Sequence, residues 1–203
     1  MFSIIQAAGW PIWPLLACSV LALALIIERF ISLKTNRVVP ATLLQGLLGF
    51  SRSALPDAQA LERLAQASAA GEVFASGLRA LRADPACTQE VLRAELQNAG
   101  RRVARRLEKY LDALATIASA APLLGLFGTV VGMIEIFGSQ NSVAGGNPAQ
   151  LAHGISIALY NTAFGLMVAI PSLVFWRYFR ARVDGFVLTI ELAAEQWLRD
   201  LQR

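Results

Sequence analysis

Three stretches of the chain are almost purely apolar, and two of them are flanked by segments whose apolar residues recur in a helical rhythm. The longest apolar stretches are Leu114 to Gly138 and Ile155 to Trp176, neither of which contains a lysine or arginine. At 1.5 Å per residue each is long enough as a helix to cross a hydrocarbon core of about 30 Å. Ser139 to Gly154, rich in Gly, Asn, Ser and Pro, reads as the polar turn of an antiparallel hairpin. An earlier run, Ile12 to Ile27, reaches spanning length when Trp10 and Phe30 are counted, and its tryptophans and prolines suit a headgroup interface. It has no ionisable residue and no seam of small residues, so it is expected to face lipid.

The rhythmic segments lie on either side of the hairpin. Leu92, Leu96, Ala99, Val103, Leu107, Tyr110 and Leu114 form a near-heptad stripe that predicts one helix flowing into the second span. Phe179, Val183, Phe186, Ile190, Ala194, Trp197 and Leu201 continue the third span in the same way. Between the first span and these stripes, Asp57 to Ala70 and Glu72 to Arg82 read as short helices, punctuated by Pro56 and Pro85. The predicted fold is all-α: a polytopic membrane protein with three transmembrane helices, the second and third extended into the cytoplasm, plus a small helical cytoplasmic domain. Its parts are residues 1–30 (periplasmic N-terminus and first span), 31–91 (cytoplasmic helical domain), 92–138 (long helix with the second span), 139–154 (periplasmic turn) and 155–203 (third span and C-terminal helix).

Composition and charge sharpen this. The 203 residues are 56% hydrophobic and only 16% charged, against about 25% charged in an ordinary soluble domain. Of the 18 Lys and Arg, 13 lie between Arg29 and Lys109 and the other 5 between Arg177 and Arg203. By the positive-inside rule both blocks are cytoplasmic, which puts the N-terminus outside and the C-terminus inside. Basic residues so placed signal topology rather than a nucleic-acid surface. Cys18 and Cys87 fall in different compartments and form no disulfide framework. Leu15 to Cys18 faintly resembles a lipoprotein cleavage site, but no positive charge precedes the run, so an uncleaved anchor is expected. The block from Lys34 to Gln89 shows no metal-ligand spacing, no nucleophile with a base and no phosphate-cradling loop, and the expectation is a protein without cofactor that is not an enzyme.

Within the hairpin, small residues recur at helical spacing. Ala118, Gly125, Gly128, Thr129 and Gly132 share a broad face of the first arm, and Ala158, Thr162, Gly165 and Ala169 follow steps of four, three and four on the second. Such seams let helices approach closely where no hydrophobic force joins them. Counted from the turn, Thr129 and Thr162 lie about 13 and 12 Å deep, so their hydroxyls share one level. Each could simply bond its own helix; the pairing suggests a polar layer facing a pore or a partner. Glu135, near the outer end of the second span, is a candidate cation attractor of an outer vestibule, since an intramembrane acid is a functional candidate by default. His153 reads as an interfacial residue.

The run ATIASAAPLLGLFGTVVGMIEIF from Ala115 to Phe137, followed by GISIALYNTAFGLMVAIP from Gly154 to Pro171, resembles the MotA/TolQ/ExbB proton-channel family, and within it the ExbB/TolQ branch. The resemblance implies a ring of identical subunits, suggested to be a pentamer, around a central pore lined at Thr129 and Thr162. It also implies a single-span partner of the ExbD/TolR type whose membrane helix brings an aspartate into that pore. Thr129, Thr162 and Asn161 would solvate this aspartate, because a threonine hydroxyl neither gains nor loses a proton near neutral pH. The work would reach the outer envelope, through a TonB-like or other envelope protein, from a complex in the bacterial inner membrane. One departure stands out: Ile157 occupies the place where such proteins commonly carry a glutamate. A passive membrane scaffold would explain the seam but leave the paired threonines accidental. A sodium-driven member of the family would use the same hydroxyls, whereas a solute transporter would be expected to show inverted repeats with broken helices.

Overall fold

The computed structural model describes residues 9–47, 56–140 and 148–201. Eight helices are described: α1 (Ile12–Ser32), α2 (Thr35–Val38), α3 (Ala41–Leu47), α4 (Ala58–Ala67), α5 (Ala69–Ala83), α6 (Gln89–Glu108), α7 (Leu111–Gln140) and α8 (Pro148–Asp200). No strand occurs among the described residues. Three helical stretches are long and apolar enough to cross a membrane. They lie in α1, in α6–α7 and in α8.

The chain divides into two compact units. One comprises the chain up to Glu28 together with Tyr110–Tyr178; the other comprises Arg29–Lys109 and the chain from Phe179 onward. The 53-residue helix α8 contributes its first part to one unit and its last part to the other. Both helices reach into the stretch whose composition suggests a turn. Helix α7 continues through Gln140 and α8 starts at Pro148, whose fixed φ and missing N–H suit a first helical position. Residues 141–147 of the expected turn lie outside the described residues.

In the first unit, α1, α7 and α8 meet at small side chains. Leu15 packs with Ala121 and Ala169, and Leu124, Phe164 and Val168 close around them. The first span therefore has a packed face, Ile12, Leu15, Ala22 and Ile26, opposite exposed Trp13, Val20, Leu23 and Ile27. Trp10 adds an edge-to-face contact with Phe127 at 5.9 Å between ring centroids.

The second unit has the core of a water-soluble domain. Phe74, Phe179, Trp197, Leu61, Leu78 and Leu92 are all essentially inaccessible. Three of its helices, α4, α5 and α6, begin on side-chain caps, each hydroxyl or carboxylate oxygen accepting a backbone N–H: Asp57 from Ala60 (2.7 Å), Ser68 from Gly71 (2.9 Å) and Thr88 from Val91 (3.4 Å). Sequence spacing separates the two short helices near Gly71; the break actually falls at Ser68. The Ser68 hydroxyl satisfies the new helix start, and Gly71, lacking Cβ, lets the Leu64 carbonyl oxygen press against it. Ion pairs decorate the rim, among them Arg106–Glu72 (2.6 Å), Arg180–Glu108 (3.1 Å) and a two-pronged Arg93–Glu195 contact (3.0 and 2.8 Å). Hydrogen bonding and then charge attraction from Glu195 hold the Arg93 guanidinium above its ordinary pKa.

A further difference concerns the second span. The stripe through Tyr110 predicts an unbroken helix, but α6 stops at Glu108 and α7 restarts at Leu111. Tyr110 takes φ 70°, outside the right-handed helical region. Hydrophobic spacing is blind to this, because the stripe keeps its period across the break.

Candidate functional site: the α7–α8 hairpin

Glycine sets the distance between α7 and α8. A Cβ on Gly165 would come within 2.5 Å of the Ala121 carbonyl oxygen, and one on Gly125 within 2.7 Å of the Asn161 carbonyl oxygen and 3.0 Å of the Thr162 Cα. At Gly128 the obstacle would be the Asn161 side chain, at 2.9 Å. Gly132 is looser, 3.6 Å from the Ala158 Cβ. Gly125, Gly128, Gly165, Ala158 and Ala169 are buried, whereas Ala118 and Gly132 are half-buried. Ser172, fully buried, extends the α8 series by one more step and donates its hydroxyl to the Val168 carbonyl at 2.7 Å. Ser172 was not among the residues expected from sequence, although its place three residues after Ala169 on the same face was a usable signal.

The polar residues divide between inside and outside. Asn161 is 1% exposed and lies against Gly128, so in the single chain it belongs to the helix crossing. Thr162 is half-buried, its backbone against Gly125. Thr129, also half-buried, donates its hydroxyl to the Leu126 carbonyl at 2.6 Å and borders an open depression of about 550 Å³ with Val130, Met133, Ile134, Phe137 and Gly138. Glu135 is exposed on the same helix. The side chains of His153 and Ile157 lie outside the described set.

The crossing contacts also fix the register. Thr162 lies level with Gly125, and Thr129 stands four residues farther along α7, a separation of about 6 Å along the axis. The two threonines are thus one helical turn apart rather than at a single level. Counting from an assumed turn misplaces them because α7 and α8 do not end where the polar composition does.

Chemically, Thr129, Thr162 and Asn161 at the α7–α8 crossing offer hydroxyls and one carboxamide, groups that can solvate an ion or orient a water molecule but cannot carry a proton between states. Thr116, Ser119, Thr129, Ser156 and Ser172 all donate to carbonyls three or four residues back on their own helix. Each hydroxyl oxygen keeps lone pairs with which to accept from a neighbour.

Comparison with known proteins extends the picture. A model of the MotA/TolQ/ExbB proton channel family matches residues 65–192, taking in both arms of the hairpin and most of the second unit. The chain is 35% identical over 183 residues to biopolymer transport protein ExbB-like 3 of Synechocystis, covering 87% of this chain and 83% of that one. It is 30% identical over 173 residues to biopolymer transport protein exbB1 of Vibrio cholerae, covering 83% and 74% respectively. It is 34% identical over 120 residues to the Tol-Pal system protein TolQ of Pseudomonas aeruginosa, where the match spans 59% of this chain but only 52% of TolQ.

Proposed function

The chain belongs to the MotA/TolQ/ExbB proton channel family, and on that premise we propose that it is the pore-forming subunit of an inner-membrane, proton-driven energy transducer of the ExbB–ExbD or TolQ–TolR type. The observation that carries this reading is the span of the family match, which includes Thr129, Thr162 and the close-packed glycines. It is a membrane protein with three spans. In the proposed assembly identical copies, five by family resemblance, form a ring with the N-termini in the periplasm and the C-termini in the cytoplasm. Thr129 and Thr162 face the interior, staggered by one turn.

Threonine cannot titrate, so a transported proton must rest on another group. That group is assigned to an aspartate on a single-span partner, with Thr129 and Thr162 solvating its charged form. Asn161 is assigned the lesser task of holding the α7–α8 crossing, in keeping with its burial against Gly128. Glu135, exposed on α7, is the proposed cation attractor at the outer mouth. A carboxylate there would raise the local cation concentration without entering the hydroxyl layer. Work delivered to the outer envelope, through a TonB-like or similar protein, completes the reading.

The test is the double substitution Thr129→Val with Thr162→Val, which preserves shape and removes both hydroxyls. The expected outcome is normal assembly with ion-driven transport reduced at least about ten-fold, the size expected from losing a hydrogen bond to a charged group. Wild-type transport by an assembled double variant would refute the pore assignment. Native mass spectrometry of the complex drawn from its own membrane should show a ring holding a few copies of a single-span protein. A monomer with no such companion would favour a passive scaffold.

A further inference from the structure

Helices α6 and α8 border a depression of about 590 Å³ in the second unit. Its floor is apolar: Leu96 from α6 and Ile190, Ala194 and Leu198 from α8, all buried in the single chain. On the α6 side Gly100 is half-buried, and a Cβ there would meet nothing within 4 Å. The groove therefore has room for an apolar side chain at a point where α6 supplies none.

Helix α8 carries the matching shape on another face. Leu188 and Leu192 are 56% and 62% exposed, and exposed Ala181 and Gly185 continue their line at helical spacing. Both leucines lie beyond the apolar stretch that ends at Trp176, so lipid does not account for their exposure. From the helical period, this ridge stands about a third of a turn around α8 from the residues that line the groove. One copy can therefore give its ridge to one neighbour and its groove to another, the head-to-tail arrangement that closes into rings.

We infer that Leu188 and Leu192 of one copy seat in the α6–α8 groove of the next. The contact rests on the proposed assembly of identical copies and adds the face that joins them. Level supports the pairing. The Arg93–Glu195 and Arg180–Glu108 ion pairs set α6 antiparallel to α8 and put Gly100 level with Leu188. Copies in one membrane share orientation and depth, so a neighbour's Leu188 arrives at the level where Gly100 leaves space. Charge supports it too. The ridge line ends at exposed Arg199, which enters no ion pair among the described residues, and the α8 edge of the groove carries Glu191 and Glu195. Helical side chains lean toward the N-terminus, so a neighbour's Arg199 reaches back to the level of Glu195.

The experiment places two differently tagged full-length chains in one membrane, both carrying Cys18→Ser and Cys87→Ser. One also has Gly100→Cys and the other Leu188→Cys, and a short bismaleimide is added. A product bearing both tags is expected, whereas Arg63→Cys, exposed on α4, should give none when it replaces Gly100→Cys. A ring seen by native mass spectrometry without that product would overturn this contact and leave the ring standing. A monomer would overturn both. A Gly100→Cys product containing only some other protein would give the groove a different occupant and overturn the contact. Leu188→Glu, at an exposed position, keeps the fold and should shift the balance of ring and monomer toward monomer at least about ten-fold, the size of one leucine's burial. An unchanged balance would overturn the contact as well. Conversely, a cross-linked assembly in which Thr129→Val with Thr162→Val leaves transport unchanged would refute the pore assignment and leave this contact intact.

Discussion

The two units of this chain solve the packing problem in opposite ways. In the hairpin unit, α7 and α8 touch backbone against backbone at Gly125 and Gly165, while Gly128 lies against the Asn161 side chain and Ala121, Ala158 and Ala169 fill the seam. In the other unit large side chains dominate: Trp197 and Phe74 meet edge to face at 5.9 Å, and Phe30 meets Phe179 at 5.0 Å. The difference reflects the solvent each unit is built for. Water rewards burial of large apolar surfaces. Lipid gives no such reward, so close approach and its many weak dispersion contacts must hold helices together. The same contrast governs charge: ion pairs ring the second unit, whereas Glu135 is the only acid between Leu114 and Trp176.

Substitutions can break this comparison or sharpen it. The largest effect should come from Trp197→Ala, which removes the largest fully buried side chain of the second unit and should destabilise it by about 3–5 kcal/mol, read from its thermal unfolding. Trp197→Phe should cost far less. The indole Nε1 is buried without an acceptor among the described residues, so losing it sacrifices no hydrogen bond there.

Next comes Gly165→Ala, where one methyl group would press on the Ala121 carbonyl oxygen. A loss of about 1–3 kcal/mol in hairpin stability is expected, measurable as dissociation at lower detergent or denaturant concentration. Gly132→Ala is the control. Its Cβ would meet Ala158 at ordinary contact distance, and the gain in helix propensity makes it neutral or slightly stabilising. Equal effects at both glycines would mean that close approach is not what holds the hairpin.

The smallest effect belongs to Arg93→Gln. Its partner Glu195 is about as exposed as Arg93 itself, so removing the pair should scarcely shift thermal unfolding, and added salt should shrink even that shift.

Much of this was legible from spacing alone. The all-α fold, the three spans, the small-residue series and the buried stripe of α8 from Phe179 to Trp197 all derive from periods that a helix imposes. The break at Ser68 rather than near Gly71 was not legible from spacing, because the Ser68 hydroxyl satisfies the new helix start. What spacing could not supply was any relation between distant segments. Nothing near Leu107 announces that its carbonyl accepts from Arg29, 78 positions away.

The sequence by itself determined which faces are apolar, which seams are small and which segments lie in lipid, because those properties come from side-chain chemistry and helical period. The tertiary structure alone decided the stagger of Thr129 against Thr162, the burial of Asn161 within the crossing and the break at Tyr110. Each of these depends on where one helix meets another, and that is settled by contacts between residues far apart in the chain.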